Sequence, residues 1–139
     1  MKEGNKFEYR QIHSSLKVIL VSNSEKSKQY YREVLGCEVT EWWVIRDWFT
    51  GLDIKLLQSN SPEDVQPNRS ARGYTQTAPD VYCYVENWTA LDELYVELKE
   101  KGARMVIEPW INEAGPWKGF AILDPDNYCI AFGGTNSNN

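Results

Sequence analysis

The sequence predicts an α+β fold made of two βαβββ modules, each with a cupped, mixed or mostly antiparallel sheet. Three observations support this prediction: a strand–helix pattern that occurs twice, a glycine after each predicted helix, and a long polar segment between the two copies. We place module one at about 14–58, the linker at about 59–79 and module two at about 80–134, within one domain spanning 1–139. One helix covers only one face of a sheet, so the modules must pair within the chain or between chains.

Module one opens with the alternating and apolar run LKVILV, which predicts a strand. Residues 22–24, with the sequence SNS, can cap a helix, which we expect to run to about Leu35 and to end at Gly36. Strand-like segments follow: CEVTEWWVI, then DWFT and LDIKLLQ, the last two separated by a bend or bulge at Gly51.

Module two has the same order of elements. After the strand VYCY, residues 85–87 match residues 21–23 of module one, and Thr89 and Asp92 are predicted to form a capping box. The helix carries a stripe of apolar residues and ends at Gly102. The strands ARMVIEPW, KGFAILD and YCIAFG follow, and the turn DPDN joins the last two, with Asn127 expected in the left-handed conformation. The polar linker between the modules is long enough to form a flap over a site.

The composition excludes several classes of function. The chain is 42% hydrophobic and 25% charged, with a net charge of −5 and no basic cluster, so we expect no nucleic-acid partner. No apolar run suits a signal peptide or a membrane span, which predicts a cytoplasmic protein with no membrane partner. The cysteines, Cys37, Cys83 and Cys129, lack CxxC spacing and are expected to be reduced core residues.

Aromatic residues are the unusual part of the composition, with six Trp and eight Tyr in 139 residues. Aromatic side chains fill cores, and they also line binding grooves because each offers a large rigid apolar face. Trp48, Trp110 and Trp117 lie on or beside late strands of the two modules and are the candidates for ligand contact.

Two segments, YYREVLGCEV and FAILDPDNYCIAFG, together with the paired modules, resemble the vicinal oxygen chelate superfamily over about residues 14–134. This superfamily includes glyoxalase I, extradiol dioxygenases, fosfomycin-resistance enzymes and bleomycin-resistance proteins. The resemblance implies the glyoxalase/bleomycin resistance fold. It also implies that the metal-ligand positions of the family fall on Leu16, Lys55, Asp80 and Ala131. Only Asp80 could be a ligand, so we expect no metal and no other cofactor.

The end of the chain is similar to the bleomycin-resistance branch, on residues 116–120 (PWKGF) and 131–133 (AFG). Those proteins are acidic, metal-free homodimers that sequester a cationic antibiotic in an aromatic groove between subunits. The resemblance therefore implies antibiotic resistance or a related role, through metal-independent binding of a small cationic or planar organic molecule by a homodimer. It implies no catalytic residue.

Two other functions stay open. The chain could be a glyoxalase-like lyase or a dioxygenase with an atypical metal site that uses Asp80 and His13 or Asp53. It could also be a structural or regulatory module without a small ligand, in which case the aromatic side chains would fill the space between modules.

Strand alternation indicates which side chains share a face with the positions implied by the resemblance. Lys55 and Asp80 either pair with each other or orient a polar ligand. The predicted ligand-binding residues are Trp48, Lys55, Asp80, Tyr82, Trp110 and Trp117.

Overall fold

A computed structural model describes residues 9–48, 50–68, 78–112 and 114–136. Module one contains β1 (Lys17–Val21), α1 (Ser24–Glu33), β2 (Glu38–Val39), β3 (Trp43–Arg46) and β4 (Leu52–Gln58). A 3₁₀ helix, Pro62–Asp64, follows. Module two contains β5 (Val81–Tyr84), α2 (Trp88–Glu100), β6 (Arg104–Asn112), β7 (Trp117–Leu123) and β8 (Cys129–Thr135). The predicted α+β fold is confirmed. Within the described ranges, neither helix is long and apolar enough to cross a membrane.

Each module forms one four-stranded mixed sheet. The strand orders are β1-β4-β3-β2 and β5-β8-β7-β6. The first strand of each module pairs in parallel with the last, and the other neighbours are antiparallel. The two modules therefore share one topology, as the repeated sequence pattern predicts. The flap predicted in the linker at about 59–79 includes residues 69–77, which lie outside the described residues.

Both helices begin at an asparagine. The Asn23 side chain accepts a hydrogen bond from the Lys26 amide at 3.0 Å, and Asn87 accepts one from the Ala90 amide at 2.8 Å. The predicted Thr89–Asp92 capping box is wrong because Asn87 already caps the helix two residues earlier, and the Asp92 carboxylate instead pairs with Lys118. Gly36 and Gly102 both have positive φ, 65° and 92°, as expected after a helix.

The strands predicted from CEVTEWWVI and DWFT need correction. The first segment is divided between β2 and β3, and the Thr40 amide donates to the Trp43 carbonyl across the turn between them. The second segment is the turn from β3 to β4, because Asp47 and Trp48 have φ of 60° and 70°. That left-handed conformation is incompatible with a strand.

The two modules share one hydrophobic core. The core draws on both sheets and both helices: Ile19, Val21, Tyr31, Leu35, Val44, Ile54, Leu91, Leu98, Phe120, Ile122, Ile130 and Phe132 are all buried in one cluster. The sides of the sheets that face the helices are therefore joined within a single chain.

A buried carboxylate connects the modules at the turn between β7 and β8. Asp124 is fully buried, and its oxygens accept hydrogen bonds from the Tyr31 hydroxyl at 2.8 Å and from the amides of Asp126 and Tyr128. Burial raises the pKa of Asp124 to about 6, although these hydrogen bonds favour the charged form. In the same turn, the Asp126 carboxylate accepts two hydrogen bonds from Ser22. The DPDN turn is thus a contact between modules as well as a connection between strands.

A second contact between modules lies at the other end of α1. Arg46 donates to both carboxylate oxygens of Glu97 on α2, at 2.9 and 3.2 Å, and also to the Leu35 carbonyl. These hydrogen bonds lower the pKa of Glu97. A bidentate pair of this kind restricts orientation as well as adding attraction, so it limits rotation of one module against the other.

We expect Asp124 to make folding stability depend on pH. Its pKa is about 6 in the folded protein and 3.8 when exposed, so the folded state holds the proton more tightly. The free energy of unfolding contributed by this group should therefore fall as pH rises from about 4 to 6, by roughly 2–3 kcal/mol, and stay level above. Urea unfolding of wild type and Asp124→Asn across this range measures the difference.

Tyr31→Phe gives a second variant for this experiment. It removes a hydrogen bond that favours the carboxylate, so the upper end of the pH transition should move to higher pH. An identical pH dependence in wild type and Asp124→Asn would contradict the assignment.

Candidate functional site

Each sheet has one face that neither α1 nor α2 covers. In β4, Ile54 and Leu56 point into the shared core, so Asp53, Lys55 and Leu57 lie on the opposite face. The same alternation and the strand register define the open face of module one, formed by Val18, Leu20, Trp43, Ile45, Asp53, Lys55 and Leu57. Its apolar side chains are accessible; Val18, for example, is 48% exposed.

The open face of module two is aromatic. The register of β5, β8, β7 and β6 places four aromatic side chains above small residues on one face: Tyr82, Tyr84, Trp110 and Trp117 lie above Gly119, Ala121, Ala131 and Gly133. Tyr84 is 79% exposed. The open faces thus carry the exposed aromatic and aliphatic surface that the shared core leaves uncovered.

Three of these aromatic residues form a cluster, Tyr82, Tyr84 and Trp117. The indole N–H of Trp117 donates to the Tyr82 hydroxyl at 2.8 Å. The ring centroid of Tyr84 lies 5.3 Å from that of Tyr82 and 5.9 Å from that of Trp117, the latter edge to face. These separations are typical of favourable aromatic pairs. The three rings therefore pack against one another on the open face of module two.

Glycine makes room for the aromatic cluster. A Cβ atom at Gly133 would overlap the Tyr82 hydroxyl and lie 2.5 Å from the Trp117 indole nitrogen. At Gly119, a Cβ would lie 2.8 Å from the Phe132 carbonyl oxygen. The aromatic rings can therefore lie close to β8 only because these positions have no side chain.

Lys55 and Asp80 each have another partner. The Lys55 ammonium lies 4.5 Å from the centre of the Trp42 ring, a cation–π contact. The Asp80 carboxylate accepts hydrogen bonds from the amides of Asn68 and Cys129, both at 2.8 Å, and so holds the segment after β4 against β8.

The predicted ligand-binding residues lie in four different places. Tyr82, Trp110 and Trp117 lie together on the open face of module two, and Lys55 lies on that of module one. Trp48 is 71% exposed but lies in the turn between β3 and β4. Asp80 is engaged with backbone amides. Contact of these residues with a ligand stays a prediction.

The family positions for metal ligands do not fit a divalent metal. Leu16 and Ala131 have no donor atom, Lys55 is a cation, and both oxygens of Asp80 already accept backbone hydrogen bonds. Across the ranges that the structure describes, no three His, Cys, Asp or Glu side chains are grouped as a metal site requires. His13 is exposed in the segment before β1.

Asp53 is buried although it lies on the open face of module one. Its side chain lies on the open face of module one and is 8% exposed, yet its Oδ1 atom has no hydrogen-bond partner in the structure. Burial raises the pKa of Asp53. The sequence signal for Asp53 was a charged residue inside the apolar strand LDIKLLQ. Asp53 was predicted from the sequence only as a ligand in the alternative metal site.

A cavity of about 600 Å³ lies where the modules meet. Its walls come from the turn after β3, from β5 and from α2, and include Arg46, Asp47, Tyr84, Leu94 and Phe132. The sequence could not identify these wall residues, because they belong to elements far apart in the chain and no local pattern indicates their contact.

The comparisons with known proteins agree with this architecture. A family model described as the Glyoxalase/Bleomycin resistance protein/Dioxygenase superfamily matches residues 13–132. The chain therefore belongs to this superfamily. A search of the curated proteins finds no match.

Solved structures with the same fold are distant in sequence. A glyoxalase/bleomycin resistance protein/dioxygenase from Alicyclobacillus acidocaldarius is 16% identical, with a TM-score of 0.67 over 90% of this chain and 92% of that one. UcmS2 is 19% identical, with a TM-score of 0.65 over 89% and 98% of the two chains. A family enzyme from Burkholderia phytofirmans PsJN is 16% identical, with a TM-score of 0.58 over 87% and 97%. These likenesses show the fold alone.

We expect Gly133→Ala to disrupt the aromatic cluster. The added methyl group would displace the Tyr82 hydroxyl and the Trp117 indole, at a cost of about 1–3 kcal/mol of folding stability. Near-ultraviolet circular dichroism should lose aromatic signal. Gly115→Ala is the matched control, because a Cβ at Gly115 meets nothing within 4 Å. Equal spectra and equal stability for the two variants would show that Gly133 does not support the cluster.

Proposed function

We propose that this protein binds a small cationic or planar organic molecule without a metal ion, in the manner of bleomycin-resistance proteins. The observation that supports this most directly is the aromatic cluster of Tyr82, Tyr84 and Trp117, exposed on an uncovered sheet face. Rings arranged in this way can stack on a flat molecule or attract a cation through their π faces.

The charge of the protein favours a cationic ligand. The net charge is −5 at pH 7, so the chain attracts cations over distances longer than direct contact. The anionic substrates common among enzymes would be repelled. Sequestration of a toxic cation, as in antibiotic resistance, is one role that such binding would serve. The three cysteines are free thiols, which suits the cytoplasmic location that we propose.

We further propose that the working form is a homodimer. The helix-facing sides of both sheets are already used in the shared core, so the open faces must be solvated or covered by a second copy. Exposed Val18, Leu20 and Leu57 on one module and aromatic side chains on the other offer apolar area for such contact. A ligand site between two copies would then draw on both open faces.

The alternative function is a metal-dependent glyoxalase-like lyase or dioxygenase with an atypical site. It would require three or four donors, whereas the family positions supply only Asp80, whose oxygens are engaged. Metal analysis of protein purified without chelators separates the two functions, since a stoichiometric divalent ion would favour the enzyme.

We expect proflavine, a planar aromatic cation, to quench tryptophan fluorescence with saturation and a fixed stoichiometry, with the same affinity in EDTA. Tyr84→Ala should weaken this binding by roughly tenfold, because a ring face that contacts the cation is lost. Tyr9→Ala, which removes an exposed tyrosine from the segment before β1, is the control. If a panel of aromatic cations produces no saturable change, the proposed function is wrong.

We expect the charge substitution Val18→Asp to shift the protein from dimer to monomer in size-exclusion chromatography with light scattering. A carboxylate placed in an apolar interface loses hydration without gaining a partner. Val96→Asp is the matched control. The exposed fraction of Val96, 51%, is similar to the 48% of Val18, but Val96 lies on α2 and not on an open face. A monomeric wild-type protein, or dimers in both variants, would contradict the proposed interface.

A further inference from the structure

The cavity between the modules has a mainly apolar interior. Its volume of about 600 Å³ falls within the roughly 300–1,000 Å³ of pockets that hold small organic ligands. Leu35, Leu52 and Phe132, which line it, are buried. Burial also raises the pKa of the Cys83 thiol in the cavity wall to about 12, so this thiol is uncharged at neutral pH. The interior therefore suits the apolar body of a ligand.

The mouth of the cavity carries two carboxylates. Asp47, in the turn between β3 and β4, and Glu86, between β5 and α2, both line the cavity and are exposed. Among the described residues, Arg46 is the one cation in the cavity walls, and it already donates to both carboxylate oxygens of Glu97. The N-terminus of α2 adds about half a positive charge nearby, which is less than the two carboxylates contribute. The charges around the cavity thus favour a cation.

The turn that carries Asp47 is tightly closed. The Gly51 amide donates to the Trp48 carbonyl at 3.1 Å, and a Cβ atom at Gly51 would overlap the Arg46 carbonyl oxygen. Asp47 has a left-handed backbone, which aspartate tolerates better than most residues. Its carboxylate makes no hydrogen bond with the described part of the chain, and its ion pair with Nε of Arg46 is long, at 3.9 Å. Asp47 therefore keeps acceptor capacity for a ligand at the cavity.

The cavity reaches the aromatic cluster around the free edge of β5. Tyr82 and Tyr84 belong to the aromatic cluster and also line the cavity. Cys83, which lies between them in the strand, faces the shared core and lines the cavity from that side. Because β5 is an edge strand that pairs only with β8, the space beside it connects its two faces. One ligand can therefore contact the cavity and a cluster ring within the same chain.

We propose that this cavity binds the cation within a single chain, with the apolar body inside, an aromatic ring against Tyr84 and the charged group beside Asp47 and Glu86. This inference rests on the proposed function. It narrows the ligand class to amphipathic organic cations with an aromatic ring, and it assigns a site that needs no residue from a second copy.

Proflavine and acridine test the charge preference by isothermal titration calorimetry, because they share a ring system but only proflavine is a cation at neutral pH. We expect Asp47→Asn/Glu86→Gln to bind proflavine roughly three- to tenfold more weakly than wild type, since exposed charges interact modestly. Acridine affinity should not change. Asparagine also tolerates the left-handed backbone at position 47. Glu63→Gln/Asp64→Asn, on the exposed 3₁₀ helix, changes the net charge equally and should bind both compounds like wild type.

Ala90→Phe tests the location of the site. Ala90 lines the cavity from α2, so a phenyl ring there would occupy part of the space, and proflavine binding should weaken by roughly tenfold or more. Val96→Phe adds the same ring to an exposed position of α2 outside the cavity walls and should keep wild-type affinity. Should Ala90→Phe fail to fold, the charge variants decide the outcome.

The outcomes separate this inference from the proposed function. Wild-type proflavine affinity in Asp47→Asn/Glu86→Gln or in folded Ala90→Phe would overturn the inference, while the proposed function stands. Equal weakening by Glu63→Gln/Asp64→Asn would show only long-range attraction and would also overturn it. If wild type binds no aromatic cation, the proposed function itself fails.

Discussion

The buried Asp124 carboxylate is the contact on which the arrangement of the two modules depends. It accepts the Tyr31 hydroxyl from module one and two amides from its own turn, so one side chain orders the β7–β8 turn and attaches it to α1. Burial destabilises the charged form of this carboxylate, and the three hydrogen bonds that it accepts stabilise the charged form. The Arg46–Glu97 pair restrains the modules at a second point. Together these polar contacts set the orientation in which the apolar core between the modules closes.

The shared core determines which sheet faces stay uncovered by α1 and α2. Each module has one helix for two sheet faces, and the helix-facing sides are used in joining the modules. The remaining faces differ in chemistry: one carries aliphatic side chains with Trp43, a lysine and an aspartate, and the other is aromatic over small residues. A molecule held between two such faces would meet charge on one side and rings on the other, which favours an amphipathic cation.

Sequence predicted the elements that depend on local physics. Helix capping predicts where the two helices begin, at Asn23 and Asn87, although the capping box was placed two residues late. The preference of glycine for the left-handed backbone predicts where they end, at Gly36 and Gly102. The DWFT turn was mistaken for a strand because its aromatic residues have high strand propensity, whereas Asp47 and Trp48 adopt a left-handed backbone. The Asp124–Tyr31 contact and the Asp80 hydrogen bonds could not be predicted, since they join residues distant in sequence.

The pairing of Tyr82 with Ala131 has a consequence for the evolution of the site. Ala131 lies beside Tyr82 in the register and is buried beneath the open face, where the resemblance places a metal-binding carboxylate. A longer acidic side chain there would need the volume that the tyrosine and its neighbours now occupy. The aromatic rings and a carboxylate on β8 therefore exclude each other from the same space. A substitution that places an acidic side chain at position 131 would have to be accompanied by a smaller residue at position 82.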